Sequence, residues 1–347
     1  MRKQLQVIDT LQQKQQIALE DFRFLLETQD EEVLTYLQEK ARQVAQKVYD
    51  NHVYIRGLIE FTNICKNDCL YCGIRKSNQN AQRYRLTKED ILQCCEEGYH
   101  LGFRTFVLQG GEDTYFTDEK ICDIVKSIKK QHPDCAVTLS IGEKSRESYQ
   151  AYFDAGADRY LLRHETANDE HYQRLHPKEL SLENRKRCLR DLKEIGYQTG
   201  CGFMVGSPYQ TIENLYEDIQ FIQELQPQMV GIGPFIPHKD TPFAKEAAGT
   251  VDRTIRLLSI IRLIHPHVLL PATTALGTIH PQGRETGILS GANVVMPNLS
   301  PISVRKKYML YNEKKATDEE AAEGLEQLKR QMEHIGYQVV VARGDYK

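Results

Sequence analysis

The sequence predicts an α/β protein of the (β/α)8 TIM-barrel class with an N-terminal helical extension. From residue 51 onward, short apolar runs rich in β-branched residues alternate with longer amphipathic stretches, and eight such runs occur. Strands separated by helices form a parallel sheet, and eight strand–helix units close a barrel. A partial barrel of six strands with a separate C-terminal piece is the alternative.

The first fifty residues predict helices only. They are charged and rich in Gln, and their apolar side chains recur at helical spacing. Residues 17–26 mark one helix, and residues 33–48 mark a second helix that ends near Asp50. We therefore expect a helical extension over residues 1–50, a barrel domain over 51–312, and a C-terminal helix and tail over 313–347.

The candidate strands follow this extension in order. They cover residues 54–61, 104–109, 136–141, 159–164, 198–205, 229–235, 267–271 and 292–296. The segments between them contain good helix formers, and several end in glycine, a common stop signal at helix C-termini. Near the C-terminus, residues 318–336 predict a helix, and the segment YQVVVA after it resembles a strand.

Composition and charge exclude several classes of function. Lys and Arg total 45 against 48 Asp and Glu, so the net charge is −3 and the pI is near 6.4. That balance provides no basic surface for nucleic acid or an anionic membrane. No run approaches the roughly 20 apolar residues that span a bilayer, and the N-terminus lacks an apolar signal core. We therefore expect a cytoplasmic protein that binds neither nucleic acid nor membrane.

The strongest motif is a cluster of three cysteines just after the first predicted strand. Cys65, Cys69 and Cys72 are spaced as C-x3-C-x2-C. Three thiolates can bind three irons of a [4Fe–4S] cluster and leave the fourth iron without a protein ligand. That open iron can chelate the amino and carboxylate groups of S-adenosylmethionine (SAM). Tyr71, immediately before the last cysteine, would shield the cluster.

Zinc and disulfides are the alternatives for these cysteines. A closed zinc site needs four protein ligands, and the next candidates are Cys94 and Cys95 inside a predicted helix, followed by His100. Nine cysteines are an odd number, and no secretory signal accompanies them. The cysteines outside the motif lack ligand spacing and are expected to be small buried hydrophobes; they are Cys94, Cys95, Cys122, Cys135, Cys188 and Cys201.

With this motif the sequence resembles the radical SAM superfamily, and the resemblance extends over residues 53–312. The matching segments include IEFTNICKNDCLYCGIRKSN, VLQGGED, AGADRYLLRHETAN, GYQTGCGFMVGSPYQT, MVGIGPFIPHKDTP and LPATTALGTIHPQGRE. The cysteine motif is typical of the whole superfamily. The RHETAN and GPFIPHKDTP segments instead resemble the HydE family of [FeFe]-hydrogenase maturases, which is grouped with biotin synthase and methylornithine synthase.

The resemblance implies a set of cofactor-binding residues. The backbone of Gly110, Gly111 and Glu112 would receive the SAM amino group, and glycine suits a close approach of the ligand because it has no Cβ. A tight turn is the alternative for this Gly-Gly pair. Met204 lies in a motif that flanks the adenine, or it packs in the core.

Further SAM contacts are implied after the fourth strand. Glu165 would contact SAM, and the guanidinium fork of Arg185 would meet its carboxylate. Strand alternation places Arg163 and Glu165 on one side and His164 on the other. An internal ion pair among Arg163, Glu165 and Arg185 is the alternative, and both interpretations can hold.

The remaining candidates concern the substrate. The resemblance implies that an anionic small molecule is held and enclosed by side chains at the barrel mouth: Arg56, Ser140, Arg163, Thr273, Thr274, Met296, Tyr308 and Tyr311. Glu143 is a further candidate, whereas His238 is interpreted as a structural residue of its loop. A structural role is the alternative for each of these residues taken singly.

The resemblance also implies the chemistry. Reductive cleavage of SAM, driven by a reducing electron donor, would produce a 5′-deoxyadenosyl radical, with no side-chain acid or base required. In the HydE family the radical acts on a cysteine-bound iron with carbonyl and cyanide ligands from the partner HydG. The product goes toward the diiron subcluster of the H-cluster on the scaffold HydF. A monomer is implied, and no auxiliary cluster is expected because residues 297–347 contain no cysteine.

Other functions stay open from the sequence. A methylornithine synthase-like mutase, or a HydE-like paralogue acting on a small amino acid or thiol, would use the same cofactors. Biotin synthase is disfavoured because it carries an Asn-His-Asn-Leu-Asp type segment where this chain has LLRHETAN. A non-catalytic iron–sulfur carrier would keep the cysteines but would not need the SAM-binding residues.

Overall fold

The computed structural model describes residues 2–314 and 321–347. In that part of the chain the helices are α1 (Arg2–Lys14), α2 (Leu19–Glu27), α3 (Glu31–Tyr49), α4 (Lys88–His100), α5 (Asp118–Gln131), α6 (Arg146–Asp154), α7 (Asp169–Leu175), α8 (Leu182–Ile195), α9 (Ile212–Leu225), α10 (Val251–Ile264), α11 (Thr274–Ile279), α12 (Gly283–Leu289), α13 (Ile302–Arg305) and α14 (Ala321–His334).

The strands are short and alternate with these helices. They are β1 (His52–Ile55), β2 (Gly57–Thr62), β3 (Thr105–Gly110), β4 (Ala136–Ser140), β5 (Arg159–Leu161), β6 (Gln198–Cys201), β7 (Met204–Val205), β8 (Met229–Val230), β9 (Gly233–Pro234), β10 (Val294–Val295) and β11 (Gln338–Val340).

Parallel pairing closes these strands into a barrel. The sheet runs in the order β2-β3-β4-β5-β6-β8, and β1, which continues into β2, pairs with β10. Two isolated parallel bridges, Met229 to Leu269 and Pro271 to Val294, join β8 to β10 through residues 269–271. Each predicted strand region therefore contributes to one closed wall, and the predicted (β/α)8 class is confirmed.

Several predicted strands are shorter than the apolar runs that predicted them. The run 159–164 is regular only over β5, and the run 198–205 is interrupted between β6 and β7. Gly202 lies at that interruption with φ +154°, and a Cβ there would come within 2.0 Å of the Gly231 oxygen. The run 267–271 contributes only bridges. The strands bend where neighbouring backbones approach closely, a tertiary feature that apolar periodicity does not report.

The N-terminal extension contains three helices, one more than the sequence predicted. Ile8 and Leu11 of α1 are buried, and Phe22 of α2 packs against Tyr216 of α9 with ring centroids 5.6 Å apart. The Asp30 side chain accepts a hydrogen bond from the first turn of α3, which fixes where that helix begins. Within the described residues, no helix is long and apolar enough to cross a membrane.

The C-terminal tail covers the amino-terminal end of the barrel. Strand β11 pairs in parallel with β1, as an addition outside the barrel wall. Beyond it, the Asp345 carboxylate accepts hydrogen bonds from Arg159 at 2.7 Å and from Gln198 at 2.9 Å. Arg159 and Gln198 begin β5 and β6, so the tail closes the end opposite the strand carboxyl termini.

We expect Asp345→Asn to lower the free energy of unfolding by about 1.5–3 kcal/mol at neutral pH, since a charged hydrogen-bond partner of buried Arg159 is lost. Burial alone would raise the pKa of Asp345, but hydrogen bonds from Arg343 and Gln198 hold that pKa well below its usual value. The stabilisation is therefore present above about pH 4 and is lost as the pH falls further.

Urea denaturation at neutral and acidic pH measures both effects. The wild type should lose stability on acidification more steeply than Asp345→Asn, whose amide does not titrate. Asp134→Asn is the matched control, because Asp134 pairs with Arg104 at 3.1 Å while about half exposed. That control should change stability by less than about 1 kcal/mol. Equal effects of the two variants would contradict the role of Asp345 in the tail.

Candidate functional site

A cavity of about 360 Å³ extends from the barrel interior to the carboxyl ends of the strands. This volume is in the range of small-molecule sites, and this end is where barrel enzymes carry their active sites. The structure places the predicted cofactor residues, and all predicted substrate residues except Glu143, on the cavity wall: Cys65, Cys69, Cys72, Gly110, Gly111, Glu112, Glu165, Arg185, Met204, Arg56, Ser140, Arg163, Thr273, Thr274, Met296, Tyr308 and Tyr311.

The cysteine loop follows β2 and is tied to three other segments. Its Lys66 amide donates to Glu112 O at 3.0 Å, and its Leu70 amide donates to Leu175 O at 2.9 Å. Gly73, just after Cys72, donates to Leu310 O at 2.9 Å. These backbone hydrogen bonds fix the loop between the end of β3, helix α7 and the segment after α13.

The structure gives a reason for glycine at position 111 that the sequence analysis did not include. The sequence suggested that a ligand occupies the space of its missing Cβ. In the structure, a Cβ at this position would lie 2.3 Å from the Ile64 oxygen and 2.8 Å from Cys65 Cβ. Glycine is therefore required here because the cysteine loop itself packs against the strand end.

The three thiols fit an iron–sulfur cluster better than a single metal ion. All three side chains line one cavity, and burial raises the pKa of each thiol, that of Cys72 to about 12. Across the described residues, no group of three ligand side chains is arranged around one metal ion. In a [4Fe–4S] cluster each cysteine binds a different iron, so the sulfurs need not converge on one point.

The other cysteines behave as the sequence predicted. All nine are free thiols, and five of those outside the motif are buried. Cys122 is half-buried, and its Sγ lies 3.5 Å from Ala151 O. Since none of these six lies on the cavity wall, they serve as small apolar side chains in the packing of helices and strands.

Arg185 is held by a carboxylate that was expected to face the substrate. Its Nε pairs with Glu143, and its Nη1 donates to Arg163 O at 2.6 Å. Asn184 also donates to Glu143, at 2.6 Å, and Glu143 is not on the cavity wall. Arg185 donates from Nε and Nη1 but makes no hydrogen bond from Nη2 among the described residues, and this leaves the two N–H groups of Nη2 for a ligand. Of the internal ion pairs considered from the sequence, Arg163 pairs with Glu165 as expected. Arg185 instead pairs with Glu143.

Glu112 links the end of β3 to the next loop. Its Oε1 accepts the Glu143 amide at 3.0 Å, and its Oε2 lies 3.2 Å from Lys66 Nζ. Gly142, with φ +81°, leaves room for the Glu112 side chain, which lies 2.2 Å from where a Cβ would stand. The Glu112 carboxylate is thus engaged within the protein, while its backbone remains on the wall.

Glu165 adopts a left-handed backbone conformation, with φ +65°. This region is unfavourable for a residue with a Cβ. Its Oε2 lies 3.1 Å from Arg163 Nη2, but neither atom has a hydrogen bond of good geometry within the described residues. Both side chains line the cavity and His164 lies on the opposite face, as strand alternation predicted. A ligand can therefore use the open Oε2.

Deep in the barrel, the wall holds polar atoms without partners. Arg56 is fully buried and donates from Nη1 to Met229 Sδ at 2.8 Å, while its Nε and Nη2 lack hydrogen-bond partners among the described residues. The hydroxyls of Thr138 and Thr273 are also unsatisfied there. Burial lowers the pKa of Arg56. Such donors suit an anionic or hydrogen-bond-accepting substrate.

Several wall residues were not identified from the sequence. Lys314 Nζ contacts Glu60 and also donates to Tyr308 O at 3.2 Å. Asn298 donates to the same Glu60 carboxylate at 2.9 Å. The buried pair of Lys314 and Glu60 fixes the segment after α13 across the cavity and places Tyr308 on the cavity wall. No local pattern indicates it, because the partners are far apart in sequence. His238, by contrast, accepts a hydrogen bond at Nδ1 from the Asp240 amide at 3.1 Å and so stabilises its own loop.

Comparisons with known proteins show the class to which this chain belongs. Residues 59–222 match the family model of the radical SAM superfamily. The crystal structure of methylornithine synthase (PylB) superposes with a TM-score of 0.83 at 25% identity and covers 96% of this chain and 97% of that one. The crystal structure of HydG superposes with a TM-score of 0.81 at 21% identity and shares the fold. The chain is a radical SAM enzyme, a class that uses a [4Fe–4S] cluster and SAM.

Sequence relatives define the family more narrowly. The [FeFe] hydrogenase maturase subunit HydE of Thermotoga maritima is 50% identical over 271 residues, which cover 78% of this chain and 77% of the relative. The 3-methylornithine synthase of Methanosarcina acetivorans is 29% identical over 282 residues, 81% of this chain and 79% of the relative. The chain belongs to the HydE family.

We expect Gly111→Ala to lose most of its cluster iron, because the added methyl group collides with the backbone that carries Cys65. Iron analysis and the visible absorbance of the reconstituted cluster measure the loss. Gly277→Ala is the matched control, since the atom nearest to a Cβ there is Arg284 Nε at 3.4 Å, an ordinary contact. Full cluster content in Gly111→Ala would show that the cysteine loop tolerates displacement.

Proposed function

We propose that this enzyme uses SAM-derived radical chemistry to help assemble the diiron subcluster of the [FeFe]-hydrogenase H-cluster. Its substrate would be a cysteine-bound iron carrying carbonyl and cyanide ligands. The observation that carries the proposal is the 50% identity to the HydE maturase of Thermotoga maritima, in a chain whose cysteine triad and candidate substrate residues share one cavity.

Cys65, Cys69 and Cys72 would hold one [4Fe–4S] cluster, and we propose no auxiliary cluster. When bound and reduced, the cluster and SAM supply a 5′-deoxyadenosyl radical. The protein positions the groups and excludes water. The tail at one barrel end and the segment carrying Tyr308 at the other support this role, since both cover the interior.

The free polar atoms at the mouth would hold SAM. The backbone of Gly110, Gly111 and Glu112 would receive its amino group, and Arg185 Nη2 would meet its carboxylate. The open Oε2 of Glu165 would accept a hydrogen bond from the same molecule. Met204, which packs with Phe235 and lines the cavity, would contact the adenine.

The deeper wall would hold the substrate. Arg56 would bind its anionic part, because the Nε and Nη2 groups of that side chain lack partners among the described residues. Thr273, Thr274, Ser140 and Arg163 would add hydrogen bonds. Met296, Tyr308 and Tyr311 would enclose the remaining side. No side-chain acid or base is assigned, since the radical reacts at the substrate without a proton donor from the protein.

The cellular setting belongs to the same proposal. We place the enzyme in the cytoplasm as a monomer, with residues 51–312 as the catalytic barrel and residues 1–50 and 313–347 as flanking parts. It would receive electrons from a reducing donor, take its substrate from a HydG-like enzyme and deliver to a HydF-like scaffold. Nucleic acid and membrane take no part.

Anaerobic reconstitution tests the radical chemistry. We expect about four irons per chain and formation of 5′-deoxyadenosine from SAM after reduction with dithionite. Cys65→Ala, Cys69→Ala and Cys72→Ala should each abolish that product, because the cluster loses a ligand. Cys122→Ala is the control and should retain it. A reconstituted wild type that binds SAM but forms no 5′-deoxyadenosine, even with HydG product, would contradict catalysis. About eight irons would contradict a single cluster.

Reconstituted maturation tests the pathway. We expect the purified enzyme, added with HydG, HydF, SAM and apo-hydrogenase, to yield hydrogen-evolving hydrogenase, and the Cys72→Ala variant to yield none. Parallel incubation with lysine should give no 3-methylornithine. Formation of 3-methylornithine without maturation would replace the proposal with the mutase function. Maturation that proceeds equally well without the enzyme would also overturn it.

A further inference from the structure

A histidine–aspartate pair lies directly behind Glu165, outside the cavity. His164 and Asp218 are both fully buried, and His164 Nε2 lies 3.2 Å from Asp218 Oδ1. His164 precedes Glu165 in the chain, and Asp218 comes from the middle of helix α9. Neither residue lines the cavity, and nothing in the proposed chemistry uses them. A buried polar pair costs desolvation energy, so its position calls for a reason.

The hydrogen bonds fix the orientation of the imidazole. His164 Nδ1 accepts the backbone amide of Gly202 at 3.3 Å. Nδ1 is therefore the unprotonated nitrogen, and Nε2 carries the hydrogen that is donated to Asp218. Burial first, and then the nearby Arg163, Lys186 and Arg185, lower the pKa of His164, which agrees with a neutral ring. The rings of Phe203 and Phe221 flank the imidazole, with centroids 5.8 and 4.9 Å away.

The same pair holds the backbone on both sides of Glu165. On one side, Gly202 donates to the His164 ring while its oxygen accepts the Glu165 amide at 3.0 Å. On the other side, Asp218 Oδ1 accepts the amide of Ala167 at 2.5 Å. Gly202 lies between β6 and β7 and packs closely against a neighbouring backbone, since a Cβ there would lie 2.0 Å from Gly231 O. Residues 164–167 are thus anchored at both ends.

Glu165 needs such anchoring. Its left-handed conformation, φ +65°, is unfavourable for a non-glycine residue and persists only where the surroundings over-determine it. The backbone turns at residue 165 instead of continuing the extended path of β5, which ends at Leu161. In this conformation the Glu165 side chain lines the cavity, and its Oε2 has no hydrogen-bond partner of good geometry among the described residues.

We propose that His164 and Asp218 are positioning residues that hold Glu165 in this conformation and so set the SAM affinity of the site. The inference deepens the proposed function and rests on it, since it requires that Glu165 contacts SAM. The pair touches neither SAM nor the cluster. It acts only through the backbone of Gly202 and Ala167.

Titration calorimetry of SAM with the cluster-loaded enzyme tests this inference. We expect His164→Phe, which keeps the ring volume, and Asp218→Leu, which removes the acceptor, each to weaken SAM binding by about tenfold or more. Asp218→Asn should bind within about twofold of wild type, because the amide oxygen can accept from both His164 and Ala167. All variants should retain full cluster iron, since the cysteine loop makes none of these contacts.

His265→Phe is the matched control for loss of a buried histidine. His265 is buried and contacts the Pro227 oxygen at 2.8 Å, and it is not on the cavity wall. The His265→Phe variant should lower the unfolding midpoint about as much as His164→Phe does, while leaving the SAM affinity unchanged. Equal loss of affinity in both variants, or wild-type affinity in His164→Phe, would overturn the positioning role. If His164→Phe fails to fold, the SAM affinities of Asp218→Leu and Asp218→Asn are compared instead. Weak binding by Asp218→Leu with near-wild-type binding by Asp218→Asn supports the positioning role, and equal affinity in the two variants overturns it.

A double variant separates this inference from the proposed function. Glu165→Ala should weaken SAM binding, and adding His164→Phe should weaken it no further, because both changes remove one contact. Wild-type affinity in Glu165→Ala would show that the assigned SAM contact is wrong, and the positioning role would fall with it. Weakening in Glu165→Ala together with a further independent loss in the double variant would reject the positioning role alone.

Discussion

A chain of hydrogen bonds from Glu112 through Glu143 and Arg185 to Arg163 joins three consecutive strand ends, and the rest of the site depends on it. The backbone oxygen of Glu112 accepts a hydrogen bond from the Lys66 amide in the cysteine loop. The Glu112 carboxylate accepts a hydrogen bond from the Glu143 amide in the next loop. Arg185 then connects Glu143 to the Arg163 backbone. Because charged hydrogen bonds in a buried setting are strong and directional, the cysteines and the candidate SAM contacts share one rigid frame.

The barrel is covered at both ends, which suits chemistry that water would interrupt. At the amino-terminal end, Asp345 of the tail binds Arg159 and Gln198. At the carboxyl end, the contact of Lys314 with Glu60 fixes the segment that carries Tyr308. Enclosure strengthens the interactions inside, because the local dielectric constant is low. The unsatisfied donors of Arg56 are therefore a strong attraction for an anionic substrate.

Local pattern was sufficient for the broad architecture but not for its irregular points. Alternating apolar and amphipathic segments predicted the barrel, and the C-x3-C-x2-C spacing predicted the loop that lines the cavity. The sequence did not predict the separate helix α1, the break at Gly202 or the left-handed conformation of Glu165. Those features arise where backbones of neighbouring strands meet, and hydrophobic periodicity carries no information about such contacts.

The sequence by itself determined the class of chemistry, because three cysteines within eight residues can act together whatever the remaining chain does. Only the tertiary structure decided which side chains and loops contact one another at the site. Glu143 pairs with Arg185 and is not on the cavity wall, Gly111 makes room for the cysteine loop, and Asp218 contacts His164 from a helix beyond the next strand. Barrel closure selects which residues meet across long stretches of chain, and a linear pattern does not encode that selection.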